Sequence, residues 1–349
     1  MAKRVTIKQV AQHANVSYQT VSRVINNSPD VASETRARVQ ASIQTLNYHP
    51  SLAARVLSKP HTSIIGVVIP YDPDFLISDP HLLKVIAGIN RGVALHDNSM
   101  LLSTPRSKDN RISAYNRLLR ERIVDGIIVD GGMGEAGLQQ LLNKGYPVVI
   151  TGYNTMGIPS VHPDDEGGAY TLTQHLLALG HRRIGVIRGP DYLATQARWR
   201  GYERALMDAG LPSDPLLCTS SDFTTPGGYQ GARFLVERPD PPTAIFAFND
   251  RMAIGAIHWL RENGHTIPDQ ISVAGFDDIV NVLNTEFPDS LLTTIRIFSP
   301  ELGQRAAELL FDLIEGNSPT STEIVIPTRL IVRHSTGLAA DVRSQRIPV

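Results

Sequence analysis

The residues best placed to do chemistry fall into two sets. The first lies at 17–26, where Val21, Val24 and Ile25 form an apolar stripe at helical spacing. Tyr18, Gln19, Ser22, Arg23 and Asn26 therefore face the other way. A merely solvated helix face carries Lys and Glu pairs; this one carries amides, a hydroxyl, a guanidinium and an aromatic ring. Gln pairs bidentately with adenine and Arg with guanine in a major groove, while Ser17, Thr20 and a helix N-terminus suit phosphate. The second set sits where apolar runs end. Asp72 follows the run 64–69, Arg198 lies in the connection after 184–187, Asn249-Asp250 follows 244–248 and Asp277-Asp278 follows 271–276. Carboxylate, amide and guanidinium at strand ends suit a polyhydroxylated ligand, and Phe223 or Trp199 can cover the apolar face of a sugar ring. Taken singly, Asp and Asn there are also ordinary helix N-caps.

The elements that position these groups are legible in outline. Ile7, Val10, Ala11 and Ala14 share one face of a first helix, opened by Thr6 and Gln9 as a capping box. Asn15-Val16 breaks it, and Ser17 caps the second helix. Ser33 can cap a third, with Val39, Ile43 and Leu46 on one side. Three short helices with a tight turn predict a small all-α helix-turn-helix domain over 1–47; a purely structural three-helix domain is the alternative. Residues 48–62, bracketed by Pro50 and Pro60, hold barely two turns of helix and read as a linker that is helical only when held. From residue 63 the pattern alternates. Apolar runs at 64–69, 100–102, 126–129, 148–150, 184–187, 244–248 and 271–276 are separated by helical stretches such as 82–95, 170–179, 200–209 and 252–263. Alternating βα units with continuously apolar strands predict parallel sheets covered on both faces, and the length predicts two α/β lobes.

Length and composition agree. The chain has 349 residues, 42% hydrophobic and 19% charged, which fits two or three globular domains. Apolar runs are too short to span a bilayer, the first residues lack the core of a signal peptide, and the single Cys218 excludes an internal disulfide; the expected address is the cytoplasm. The net charge of −1 hides an asymmetry: residues 1–60 carry +6 and the remainder −7. A basic head on an acidic body is expected where only the head meets a polyanion.

Several motifs are set aside. The segment 132–137 satisfies G-x-G-x-x-G, but the next strand ends Ile150-Thr151-Gly152 without the acid a dinucleotide ribose needs. The histidines lack metal-ligand spacing, and no G-x-S-x-G elbow occurs. Asp164-Asp165-Glu166 precedes a helix and suits its dipole; His181 reads as structural. No metal, cofactor or catalysis is expected.

The run 5–11, the run 14–26, and Val31, Thr35-Arg36, Val39 and Leu46-Asn47-Tyr48 resemble the head of the LacI family of bacterial transcription regulators. The body motifs at 175–184, 246–256 and 271–278 are similar to that family's as well. The resemblance implies a repressor whose operator affinity is switched by a small sugar or sugar derivative. It implies a periplasmic-binding-protein-like body of two doubly wound lobes, a palindromic double-stranded operator and a homodimer. It carries DNA contact to Thr6, Ser17, Tyr18, Gln19, Thr20, Ser22, Arg23, Asn26, Thr35, Ala54 and Leu57. Leu57 matches the hinge leucine that wedges into the minor groove, and an apolar wedge can unstack a base step and kink the duplex. Effector contact is carried to Arg198, Asn249, Asp277 and Phe223, with Asp72 as a further candidate; Asp250 and Asp278 are expected to be caps. The expected division is 1–47, a hinge at 48–62, and an effector-binding and dimerisation body at 63–349. Within the body, one lobe takes about 63–161 and 292–323, the other about 162–291 and 324–349. The competing reading, a sugar-transport component or carbohydrate enzyme, leaves the basic head unexplained.

Overall fold

A computed structural model of the chain describes residues 5–48, 61–71, 73–106, 110, 112–121, 123–131, 135–279, 292–318, 321–340 and 342. The expectations for Asp72, Ala54, Leu57 and most of the hinge fall outside them. The chain divides into two compact units: residues 1–64 with 121–125, and residues 65–120 with 126–349.

In the first unit α1 (Ile7–His13), α2 (Tyr18–Ile25) and α3 (Ser33–Thr45) enclose Val10, Ala11, Ala14, Val21, Val24, Val39 and Tyr48. Gln9 reaches back to the Thr6 amide at 2.8 Å, which is half of the predicted capping box. The tight turn depends on Asn15, whose φ of 50° puts it in the left-handed region that Asn tolerates. The Val16 amide then donates to the Ala11 carbonyl at 3.0 Å and closes α1. Ser17 Oγ accepts from the Thr20 amide at 3.1 Å and starts α2. Ser17→Ala should therefore cost the head about 1 kcal/mol in a denaturant titration. Ser33 does not cap α3; it is the first helical residue, and Ala32 holds the cap position without a side-chain bond. The preceding turn is held instead by Arg36, whose guanidinium donates to the Ser28 carbonyl.

The second unit carries two six-stranded sheets. The first holds β1 (Ile64–Val68), β2 (Ser99–Ser103), β3 (Gly126–Asp130), β4 (Val148–Thr151), β5 (Ser160–Pro163) and β11 (Glu323–Ile326), in the order β11-β5-β4-β3-β1-β2. The second holds β6 (Ile184–Arg188), β7 (Cys218–Ser220), β8 (Ala244–Ala247), β9 (Ser272–Asp277), β10 (Thr293–Arg296) and β12 (Arg329–Ile331), in the order β12-β10-β9-β8-β6-β7. Every strand of β1, β3, β4, β8 and β9 is buried along its whole length, as strands covered on both faces must be. The covering helices include α5 (Pro80–Leu95) and α12 (Ser299–Ile314) on the first sheet, and α8 (Asp165–Ala178), α9 (Leu193–Asp208), α10 (Thr225–Val236) and α11 (Asp250–Glu262) on the second. Two of these pairs approach backbone to backbone through glycine: a Cβ on Gly88 would lie 2.0 Å from the Pro300 carbonyl oxygen, and one on Gly255 would strike the Thr225 carbonyl oxygen.

The lobe boundaries differ from the expectation at 292–323. β10 pairs in parallel with β9, Thr294 opposite Gly275, and so belongs to the second sheet. β11 pairs in parallel with β5, Val325 opposite His162, and so belongs to the first. The chain thus passes between sheets at 164, 297–298 and 327–328. The anchor for β10 is Asp250, which receives the Thr294 hydroxyl at 2.6 Å.

Candidate functional site

On the head, Val21 and Val24 are buried and fix the rotation of α2. Tyr18, Gln19 and Arg23 are exposed on the opposite side, Tyr18 by 53%. Ser22, Thr20 and Thr35 are half-buried, and Thr6 and Ser17 are exposed. The Thr20 hydroxyl sits 2.9 Å from Ser17 Oγ, so both lie at the N-terminal end of α2. Asn26 lies just past the helix as its C-cap, half-buried, with Oδ1 lacking a hydrogen-bond partner among the described residues.

In the body, the carboxyl ends of both sheets open on one cavity of about 580 Å³. That is where open parallel sheets collect ligands. Asp130 ends β3, Thr151 ends β4 and Pro163 ends β5; from the other sheet Phe223 follows β7, Asn249 follows β8 and Asp277 ends β9. Arg198, Phe223, Asn249 and Asp277 are all brought together here.

Arg198 is the hub. Its Nε donates to Asp165 Oδ1 at 2.7 Å, one terminal nitrogen donates to the Phe248 carbonyl, and the other donates to Asp277 Oδ1 at 3.3 Å. Its guanidinium lies 3.8 Å from the centroid of the Phe276 ring. Burial raises the Asp277 carboxyl well above the usual range despite Arg198, and its backbone is held at φ 105°. Asn249 is a cap that also lines the cavity: Oδ1 caps α11 through the Met252 amide at 2.9 Å, while Nδ2 donates to the Phe223 carbonyl at 3.1 Å. Phe223 stands at φ 64°, with Tyr192 tilted against it at 6.1 Å. The ring fits because residue 189 is glycine; a Cβ there would lie 2.0 Å from it. Trp199, the other aromatic candidate, does not line the cavity; Arg188 stacks on it at 4.8 Å.

Asp250 is not a cap; the segment that Asp278 would cap lies outside the described residues. Asp250 is fully buried inside α11, bonded to Thr294 and to the Ile279 amide at 2.8 Å, and burial pushes its carboxyl up to about 7. Asp278 binds Arg296 at 2.5 Å and Arg333 at 2.8 Å; burial opposes its ionisation, but these two bonds hold it below the usual range.

The remaining lining was not singled out in the sequence. It includes Tyr71, Asp79, His81, Asp130, Tyr153, Asp165, Asp191, Tyr192 and Asp222. Asp165 belongs to the acidic triplet 164–166 at the start of α8, which the sequence reads as serving the helix dipole. Asp164 is the true cap, accepting from Gly167 at 2.8 Å, and Glu166 pairs with Arg200 and Arg204. Asp165 turns into the cavity.

Asp130 receives the Thr151 hydroxyl at 2.7 Å, and burial pushes its carboxyl up to about 7. An ordinary unfolded Asp titrates near 3.9, so the folded state binds the extra proton between about pH 4 and 7. This contribution is fully present below pH 4 and is lost as pH rises through 7. Asp130→Asn should flatten the fall of stability over that window; an unchanged slope in urea titrations at pH 5 and 7 would place the proton elsewhere.

Among the described residues no helix is long and apolar enough to cross a membrane, and no cluster of His, Cys, Asp and Glu could hold a metal ion. Residues 6–51 match the model of the bacterial regulatory proteins of the lacI family, and residues 173–336 match the periplasmic binding protein-like domain. The chain is 33% identical over 343 residues to the HTH-type transcriptional regulator CelR of Thermobifida fusca, covering 95% of this chain and 98% of that one. It is 31% identical over 335 residues to the HTH-type transcriptional repressor CytR of Escherichia coli K12, covering 95% and 96%. Among solved structures, the lac repressor dimer bound to operator and the anti-inducer ONPF superposes with a TM-score of 0.82 at 28% identity, covering 96% of this chain and all of that one. The CelR–cellobiose complex superposes at 0.71 with 31% identity, covering 95% and 100%. With a helix-turn-helix head, two lobes of parallel sheet and these relatives along nearly its full length, the chain belongs to the LacI family of bacterial regulatory proteins and is a DNA-binding transcription regulator.

Proposed function

We propose that this regulator is a homodimeric repressor that reads a palindromic operator and releases or tightens it when a small sugar occupies the cleft. The observation that carries the reading is the convergence of Arg198, Asn249, Asp277 and Phe223 on a single cavity between two sheets. A polar set with one aromatic wall suits a sugar, whose ring has an apolar face and a hydroxylated rim. The solved CelR relative holds cellobiose, which supports a saccharide for this chain. On the head, Gln19 and Arg23 read base edges, Tyr18 and Ser22 pack alongside, and Thr6, Ser17, Thr20, Asn26 and Thr35 hold the backbone. A dimer suits a palindrome because its two-fold axis coincides with that of the DNA. Leu57 as a minor-groove wedge, Ala54 as a DNA contact and Asp72 as an effector contact remain part of this reading, and all three lie outside the described residues. The cleft is a sensor rather than a catalytic site, and the protein works in the cytoplasm beside the chromosome.

Linkage makes this testable. A coupling of about 1–3 kcal/mol changes operator affinity roughly 5–150-fold, and operator must change sugar affinity by the same factor. A thermal-shift screen of sugars on the full chain identifies the ligand. Operator titration with and without it then measures the coupling, and sugar titration with and without operator must return the same value. A sugar that binds the full chain and leaves operator affinity unchanged defeats the switch.

A further inference from the structure

One carboxylate away from the cleft holds the stretch of chain that leads from the head into the body. Asp125 Oδ1 accepts from the Thr62 amide at 2.6 Å, and Oδ2 accepts from the Ser63 amide at 2.8 Å. The Asp125 amide in turn donates to the Ile64 carbonyl at 2.9 Å, and the Ile64 amide donates to Thr62 Oγ1 at 3.2 Å. Three successive amides, 62–64, are thus engaged, two of them by one side chain. Ser63 stands at φ 58°, a left-handed conformation that serine adopts only at a cost. Such a bend persists where its surroundings dictate it, and the paired oxygens of Asp125 do so here. Bonds from a carboxylate to amides are stronger than neutral ones, and two together fix orientation as well as distance.

The same residue stands at the foot of a strand that reaches the cleft. Ile64 opens β1, and Gly126, the residue after Asp125, opens β3. The two strands pair in parallel, Ile65 opposite Gly126, and both are buried along their whole length. Each has five residues and spans about 16 Å. At their far ends β3 closes on Asp130, and Tyr71 follows β1 by three residues; both side chains line the cavity. Each strand is flanked by a neighbour on both sides, in the order β4-β3-β1-β2. A buried strand held in this way transmits a displacement along its length instead of absorbing it.

We propose that Asp125 is the positioning residue that couples the cleft to the head: its carboxylate ties the amides of Thr62 and Ser63 to the strand whose far end lines the cleft. The expected hinge ends at residue 62, and a stretch too short to hold a helix alone takes its order from what holds its end. The inference rests on the sugar-switched reading above and assigns one residue of that switch.

The test uses the full-length protein, an operator selected from randomised DNA, and mono- and disaccharides of gluco, galacto and ribo configuration, cellobiose among them. In the parent, operator affinity with and without the sugar that binds should differ roughly 5–150-fold. Asp125→Asn keeps the side-chain shape but turns one acceptor oxygen into a donor, so one of the two amides loses its partner. In that variant the ratio should collapse to about threefold or less, and the reciprocal ratio, sugar affinity with and without operator, should fall with it. Sugar affinity in the absence of DNA should match the parent's, because no cleft residue has changed. The ratio compares one protein with itself, so the charge removed with the carboxylate cancels. A merely structural anchor would lower stability and leave the ratio alone. A folded Asp125→Asn that binds the sugar and keeps the parent's ratio therefore overturns the inference and leaves the sugar switch standing. Should that variant fail to fold, a glycine inserted between Thr62 and Ser63 takes its place. Neither residue belongs to a hydrophobic core, and the same loss is required of it. A parent whose operator affinity no sugar alters overturns the switch reading and this inference with it.

Discussion

Arg198→Met should cost the body about 3–5 kcal/mol and abolish the response to sugar. Arg198 is 8% exposed and bridges Asp165 and Asp277, both buried. Methionine fills much of the same volume and can lie on the Phe276 ring, so lost packing is a small part of the effect. The large part is two carboxylates left in a low-dielectric wall without a cation, and breaking a buried pair from one side is worth about that much. The sign of the pH dependence separates this from a packing defect. Without the guanidinium nothing opposes the burial that already raises the Asp277 carboxyl, so it titrates higher still relative to the unfolded chain. The variant must therefore recover stability as pH falls through the folded value, while a cavity would leave the deficit constant. Urea titration of parent and variant at pH 5 and pH 8 reads this directly. A variant within about 1 kcal/mol of the parent at pH 8 would mean that the triad contributes no net stability. Sugar binding is lost on either account, because Asp165 and Asp277 lose the group that orients them.

How much of this was legible depended on whether a residue's role is set by its neighbours in sequence or by a partner far along the chain. The stripe of Val21 and Val24 is local, and its spacing alone determines which side chains of α2 face outward. The strand-end positions of Asn249 and Asp277 were equally local, since each closes an apolar run. Adjacent identical side chains were not separable. Asp164, Asp165 and Glu166 cap a helix, hold Arg198 and bind surface arginines in turn. Only the fold decides which does which, because Arg198 is 33 residues away from Asp165. Asp250 is the same lesson reversed. It reads as a cap, yet Asn249 takes that place and Asp250 turns inward to Thr294, 44 residues on. The misplaced lobe boundary has this cause too: β10 joins the second sheet through β9 and Asp250, pairings that no periodicity within 292–296 encodes.

Gln19→Ala should remove about 1–3 kcal/mol of discrimination at one base position in each operator half-site. Gln19 is exposed on α2, one residue inside the helix that Ser17 caps. Among the described residues its exposed side chain makes no hydrogen bond or ion pair that holds the head together, and alanine is a better helix former. Folding and the backbone contacts from Ser17 and Thr20 should therefore survive, and the whole effect should fall on base choice. Binding to nonspecific DNA and its dependence on salt should match the parent, because a neutral amide releases no counterion. Arg23→Ala provides the contrast: removing a cation should shallow the salt slope by about one, and losing a base-reading guanidinium should relax the choice at its own position as well. The measurement is selection from a library with both half-sites randomised, followed by titration of the winners at two salt concentrations. If Gln19→Ala enriches the same half-site as the parent with the same stringency, the outward face of α2 is not what reads the bases. Base choice would then be made elsewhere on the head.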